Sequence, residues 1–335
     1  MIARIVLAGV IACVIVGAVY QVIGSATDAR RFRQRGKTVR AAGVAFHLDC
    51  SGSGKPTVIL ESGMSVPAAG WALVQPEIAR FTRVCSYDRA GYGWSDPSSR
   101  PRTSIEIAKE LAALLNAAGE AGPYVVTGHS FGGYNVRVFA GMNRADVVGM
   151  VLVDASHGDE GERLEALLPA PLRERERKDQ QREEWLDRIE TPVLIHLGIE
   201  RLKAAAGWDR PDGLPRELRR ELSYLEQQSK SRSAVDAEDK ASGQSWAQVR
   251  AAGNFGSLPL VVLTAGEPYD PDPLLTKAQM DQQRDLWIHV LQADEARLST
   301  NGRQIVVADS GHMIPFERPG AVVSAIREVW EAARQ

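Results

Sequence analysis

Ser130 sits in the run Val125-Val126-Thr127-Gly128-His129-Ser130-Phe131-Gly132-Gly133, with a glycine two places before it and another two places after. A serine hydroxyl attacks an acyl carbon only when a base reaches its proton and its oxygen stands clear of the backbone. A sharp strand-to-helix turn holds the oxygen clear, and such a crowded turn suits glycine at both flanking places. The apolar residues before Gly128 read as a strand, and Tyr134 to Ala140 as a helix. That helix points free N–H groups and its positive end back at the serine. The amide of Phe131 is thus a candidate donor to an oxyanion. A glycine-rich turn with a capping serine has the same composition, so the elements around it must decide.

The chain has 335 residues, enough for one large α/β domain with an insertion or for two smaller domains. Its 40 basic and 42 acidic residues leave a net charge of −2, with no global attraction to nucleic acid or anionic lipid. No short repeat is present. Three cysteines make neither a disulfide scaffold nor a zinc site, and with Cys13 in the apolar N-terminus, Cys50 and Cys85 are left as the pair that can meet. Ile5 to Ile23 is almost continuously apolar, about the length that crosses a bilayer as a helix. Gly24-Ser25-Ala26 also suits signal cleavage. Arg30, Arg31, Arg33, Arg35 and Lys37 follow the span, which by the positive-inside rule keeps the main domain cytoplasmic.

Val44 to Cys50 alternates and ends in Ser51-Gly52-Ser53-Gly54, a strand and turn on which His47 reads as a packed residue. Thr57 to Glu61 is a short apolar strand that opens into Ser62-Gly63-Met64. Arg83 to Asp88 is the next strand, and Arg89-Ala90-Gly91-Tyr92-Gly93-Trp94-Ser95-Asp96 follows it. Glycines there serve the bend and Asp88 and Arg89 serve polar contacts, while Tyr92 and Trp94 are candidate substrate contacts. Thr103 caps a predicted helix from Ile105 to Ala118, which Gly119 ends. Val148 to Asp154, Leu258 to Thr264 and Gln304 to Asp309 complete the strands.

Together, the Gly128–Gly132 turn, the glycine after the preceding strand, the Asp-Arg-Ala-Gly-Tyr-Gly loop and the C-terminal Ser310-Gly311-His312 resemble the serine hydrolases of the α/β-hydrolase superfamily, over residues 38–157 and 256–334. The resemblance implies a mostly parallel eight-stranded sheet with helices on both faces and a helical lid inserted after the sixth strand. It implies that His312 is the base and that the Met64 amide completes the oxyanion hole with Phe131. The acid stays open between Asp154, after the sixth strand, and Asp270, after the seventh, with Asp272 or Glu267 behind it. Asp154 is narrowly favoured because a strand end preorganises it, whereas Asp270 lies in a long Pro-rich loop. The family topology also lays the second strand antiparallel to the fourth. Cys50 and Cys85 would then be neighbours, either two free buried thiols or, if the domain is exported, a disulfide, and a bond there would tip the compartment toward the extracytoplasmic side.

The expected organisation is an anchor or signal over 1–27, a basic linker over 28–37, core over 38–157, a lid over 158–255 and core again over 256–335. Arg173 to Glu190 reads as an exposed charged helix, and Thr191 to His196 as an apolar lid element lining the site. The expected activity is hydrolysis of a small to medium apolar carboxylic ester through an acyl-enzyme, without metal or organic cofactor. An acyltransferase or a cofactor-free perhydrolase on the same residues is the alternative, and an inactive binding protein on this fold the alternative of another class. The expected partners are a small acyl substrate and a membrane, with no nucleic acid; the oligomeric state stays open.

Overall fold

The computed structural model describes residues 1–206, 214–267 and 275–335. They form two compact units, one of Met1–Arg33 with Leu168–Gln227 and one of Gln34–Leu167 with Gln228–Gln335.

The larger unit is built on eight strands: β1 (Lys37–Ala41), β2 (Val44–Ser51), β3 (Thr57–Glu61), β4 (Val84–Tyr87), β5 (Tyr124–His129), β6 (Val147–Val153), β7 (Leu260–Ala265) and β8 (Gly302–Val307). Their order across the sheet is β1-β2-β4-β3-β5-β6-β7-β8. The β1–β2 and β2–β4 pairs are antiparallel and the rest parallel. This is the α/β-hydrolase fold. A parallel sheet buried on both faces calls for continuous apolar runs rather than alternation. Successive side chains of β5, β6 and β7 accordingly enter opposite cores. Val126, Met150, Leu152 and Val262 pack with Leu111, Leu114 and Phe139; Val125, Val151, Val153 and Val261 pack with Trp71, Ile326 and Val329. The helices Ser104–Ala118 and Gly132–Met142 therefore cover one face and Pro319–Ala332 the other. Thr103 accepts the Glu106 N–H at the start of the first of these, and Gly119 ends it in the left-handed region (φ 75°).

Several elements differ from the expectation. Lys37–Ala41 is an edge strand that the sequence reading did not single out: Val39 and Ala41 face inward while Lys37 and Arg40 stay exposed. Charged side chains on an edge are what keep it from pairing with other chains, so they mask the strand signal. The N-terminal helix runs Ile2–Arg31 and takes in the first part of the basic stretch. Ala29, Arg30 and Arg31 are good helix formers, and cations suit its C-terminal end. The insertion is not one body. Residues 168–227 cluster with the N-terminal helix, whereas 228–255 belong to the unit that carries the sheet. Thr191 to His196 forms the last turns of the helix Ala170–His196 rather than a separate element.

Cys50 lies directly opposite Cys85 across the β2–β4 pair, Cα atoms 4.1 Å apart, and the two are joined as a disulfide. The free cysteine is Cys13. Iodoacetamide without reductant should therefore alkylate one cysteine, and intact mass will count it. With a sequence separation of 35 residues, replacing both partners by alanine is expected to lower unfolding stability by about 3–4 kcal/mol, measured by denaturant titration.

Candidate active site

β5 delivers Ser130 into a turn that only close backbone packing holds. Its φ is +53°, a left-handed conformation unusual for a residue with a Cβ. The Ser130 N–H donates to the Val153 carbonyl (3.1 Å), and its own carbonyl accepts from Gly133 (2.8 Å) and Ser156 (3.1 Å). A Cβ on Gly128 would lie 2.5 Å from the Gly132 oxygen, and one on Gly132 would lie 2.6 Å from the Glu61 oxygen. Both flanking glycines are thus demanded by approach of backbone to backbone. Phe131 is the cap residue of the helix Gly132–Met142, so its N–H falls where a helix offers no acceptor of its own.

His312 reaches the same place from the loop after β8. Glu317 shapes that loop, accepting from the Gly311 N–H (2.6 Å) and the Ser310 hydroxyl (3.0 Å). His129, beside Ser130 in the chain, holds the His312 backbone, with Nε2 2.9 Å from the His312 carbonyl oxygen. A carbonyl only accepts, so that nitrogen carries the proton. Burial, and secondarily the neighbouring His312, push the His129 pKa down to about 3, which keeps the ring neutral. His312 Nδ1 lies 2.6 Å from Asp154 Oδ2. The other Asp154 oxygen accepts from the Ala265 N–H (3.0 Å) and the Trp287 indole (2.9 Å). A carboxylate only accepts, so Nδ1 donates and Nε2 of His312 is left as the basic nitrogen. Asp154 is fully buried, with φ +40°. Asp270 and Asp272 lie outside the described residues.

The loop after β3 presses on the serine: a Cβ on Gly63 would lie 3.1 Å from Ser130 Cβ. Arg89 sets this loop. Nη1 donates to the Ser62 carbonyl (2.6 Å) and Glu61 (3.0 Å), and Nη2 to the Gly63 carbonyl (2.9 Å) and Glu238 (3.0 Å). Nε donates to Glu238 (2.8 Å). The Gly63 carbonyl and the Met64 N–H share one planar trans peptide and point opposite ways. Clamping the carbonyl on Arg89 therefore turns the Met64 N–H away from the guanidinium. Tyr92 is buried, with its hydroxyl donating to Glu238 (2.7 Å) and accepting from the Ser65 N–H (3.2 Å). Trp94 packs edge-on against His47 (5.0 Å). Their aromatic rings hold the loop where the sequence suggested substrate contact. Asp88 accepts from the Ala68 N–H (2.7 Å), the Trp94 N–H (3.0 Å) and His47 Nδ1 (2.7 Å).

Sequence reasoning missed Trp287, Glu317 and Glu238. None stands in a motif, although Trp287 opens a π-helical turn, Trp287–Leu291, a feature that often marks functional sites. One cluster of possible metal ligands occurs among the described residues, Cys50, Cys85 and Glu120. Its thiols form the disulfide, and its carboxylate pairs with Arg83 (2.6 Å). The donor set does not fit a metal. Removing one charge from the buried Arg89 group should be costly. Glu238→Gln leaves Arg89 its Glu61 partner but weakens the charge-assisted hydrogen bonds to Arg89 and Tyr92, and is expected to lose about 1–3 kcal/mol of unfolding stability, read from urea titration.

Comparison with known proteins identifies the family. The pattern of the alpha/beta hydrolase family matches residues 58–325 of the 335. The uncharacterized protein YqjL of Bacillus subtilis is 36% identical over 37% of this chain and 49% of its own length. The 2-hydroxymuconate semialdehyde hydrolase of Pseudomonas sp. CF600 is 34% identical over 29% of this chain and 35% of its own length. The chain thus spans half or less of these curated relatives. A thermophilic esterase from Thermogutta terrifontis superposes with a TM-score of 0.57 over 89% of this chain and 99% of its own, at 20% identity, a likeness of fold. Since the family pattern takes in both halves of the sheet and every residue gathered around Ser130, the chain belongs to the alpha/beta hydrolase family.

Proposed function

We propose that the chain is a serine hydrolase acting on a small to medium apolar carboxylic ester. The observation that carries this reading is the paired placement of Ser130 on its turn and of His312 against Asp154 at 2.6 Å, with the ring of His129, the residue before Ser130, bonded to the His312 backbone. In this reading His312 Nε2 takes the Ser130 proton as Oγ attacks the acyl carbon. The Met64 and Phe131 amides receive the developing oxyanion. The same histidine then protonates the leaving alkoxide and later draws a proton from water, which releases the acid from the acyl-enzyme. Asp154 holds the imidazole in one tautomer and stabilises its charged form. A carboxylate nucleophile would favour epoxide or haloalkane chemistry, and a serine at the turn favours acyl transfer instead. The mechanism needs no metal or organic cofactor. An acyltransferase or a perhydrolase would use the same residues with a different acceptor.

We further propose that the N-terminal helix spans a membrane. Its segment Arg4–Arg31 contains an 18-residue apolar stretch of mean hydropathy 2.5. A disulfide persists in oxidising compartments, so the Cys50–Cys85 bond favours an extracytoplasmic hydrolase.

A fluorophosphonate probe should label the wild-type chain and fail on Ser130→Ala. A folded wild type that takes no label overturns the enzyme reading, and label persisting on Ser130→Ala overturns the nucleophile. With p-nitrophenyl butyrate, Asp154→Asn is expected to lower kcat on the order of 10⁴-fold. Asp270→Asn should leave kcat nearly unchanged; the reverse pattern moves the acid to Asp270.

A further inference from the structure

The smaller unit joins the N-terminal helix to a helical hairpin, Ala170–His196 followed by Ile199–Ala206, and to the helix Arg216–Glu226. The backbones meet closely. A Cβ on Gly17 would lie 2.5 Å from the Leu197 carbonyl oxygen, one on Gly24 2.5 Å from Arg201 Nε, and one on Gly198 2.7 Å from the Tyr20 ring.

Polarity is matched level by level along this contact. Beside Gly17 and Tyr20 stands the hairpin tip, which carries Val193, Leu194, Ile195, Leu197 and Ile199. The polar exception there, His196, has Nδ1 on the Pro192 carbonyl (2.6 Å). Higher on the helix, Arg201 donates to Gln21 (3.1 Å), to Ser25 (3.2 Å) and to Asp28. Higher again, Arg220 donates to Asp28 (3.2 Å) and Arg31 pairs with Glu217. The charges next to the tip, Glu200 and Lys203, pair with each other (2.8 Å). Two segments far apart in sequence thus change from apolar to charged at the same height. A water-facing hairpin has no need of that register, and a lipid boundary imposes it.

Exposure agrees. Beyond the N-terminal helix, from residue 32 onward, the most exposed large apolar side chains among the described residues are Leu202 (55%) and Val193 (50%), both on this hairpin. Gly17 lies about 9 Å along the helix from Ile23, at 1.5 Å per residue, so a tip at that level reaches past the headgroups.

We propose that the hairpin tip, Pro192–Ile199, is seated among the acyl chains of a bilayer beside the N-terminal helix. The sequence placed this apolar segment against the substrate; the contacts place it against the helix, and lipid covers its open side. The inference rests on the N-terminal helix being a span, and the test separates the two claims.

The full chain, carrying Cys13→Ser and keeping its disulfide, would be reconstituted in nanodiscs of phosphatidylcholine and phosphatidylglycerol. A nitrobenzoxadiazole label would be placed in turn at Val193→Cys, Leu202→Cys, Ile23→Cys and Lys178→Cys, the last an exposed position on the charged body of the same hairpin helix. Lipids bearing doxyl on the acyl chain should quench the Val193→Cys label as strongly as the Ile23→Cys label and the Leu202→Cys label to a clear extent, while Lys178→Cys responds only to aqueous iodide. If Ile23→Cys is quenched by lipid and Val193→Cys behaves like Lys178→Cys, the tip is in water and the proposal is overturned. A blue-shifted Val193→Cys label that neither lipid nor iodide quenches means a protein-covered tip, which also overturns it. If Ile23→Cys itself escapes lipid quenching, the span reading fails, and the tip proposal with it.

Discussion

One buried guanidinium ties the parts of the catalytic unit together. Arg89 has five N–H donors and all of them are used: on Glu238 twice, on Glu61, and on the carbonyls of Ser62 and Gly63. These partners come from the end of β3, the loop after it and the helix Ser229–Lys240 of the insertion. A lysine has three donors and no planar fork, so it could not hold the same set. Two carboxylates on one cation leave a buried excess of negative charge, and burial pushes the Glu61 carboxyl above its ordinary range. Asn135 donates to the same Glu61 oxygen (3.0 Å), which helps offset that. The structural consequence is directional. With the Gly63 carbonyl held, the next N–H has one orientation, fixed before any substrate arrives.

Around this clamp the sheet acts as a platform. The loops after β3, β4, β5, β6, β7 and β8 carry Gly63, Asp88, Ser130, Asp154, Gly266 and His312 in turn. These six strands run parallel, so all the loops open at one edge, where open α/β sheets gather their chemistry. Strain gathers there as well. Among the described residues four non-glycine positions have φ in the left-handed region, and three of them are Ser65, Ser130 and Asp154. Such conformations cost of order 1–3 kcal/mol each and persist only where surrounding contacts insist on them. The hydrogen bonds of the Ser130 backbone and of the Asp154 carboxylate supply that insistence.

Much of this plan was legible in the chain itself. The apolar runs of β3, β5, β6 and β7 announce buried strands, because a strand covered on both faces has no polar side to hide. Gly128 and Gly132 announce a turn too crowded for a Cβ. Thr103 and Gly119 bracket their helix because capping is a local matter. β1 escaped notice because its charges protect an edge, and edge protection looks like a linker when read one residue at a time.

The rest depended on which distant residues the fold brings together. Asp154 and Asp270 both stand after a strand and before His312, so chain order cannot choose between them; the register of β6 against β7 puts the Asp154 carboxylate within reach of a ring 158 residues away. The Cys50–Cys85 bond likewise needed the antiparallel pairing of β2 with β4, which only the assembled sheet creates. Glu238, Trp287 and Glu317 carry no local signature, since a carboxylate or an indole acquires its role from the donor or acceptor it meets. The sequence by itself determined the periodicities, caps and tight turns, which short-range sterics and burial impose. The partners of each charge, and the division of the insertion between two bodies, were decided by packing over long separations in the chain.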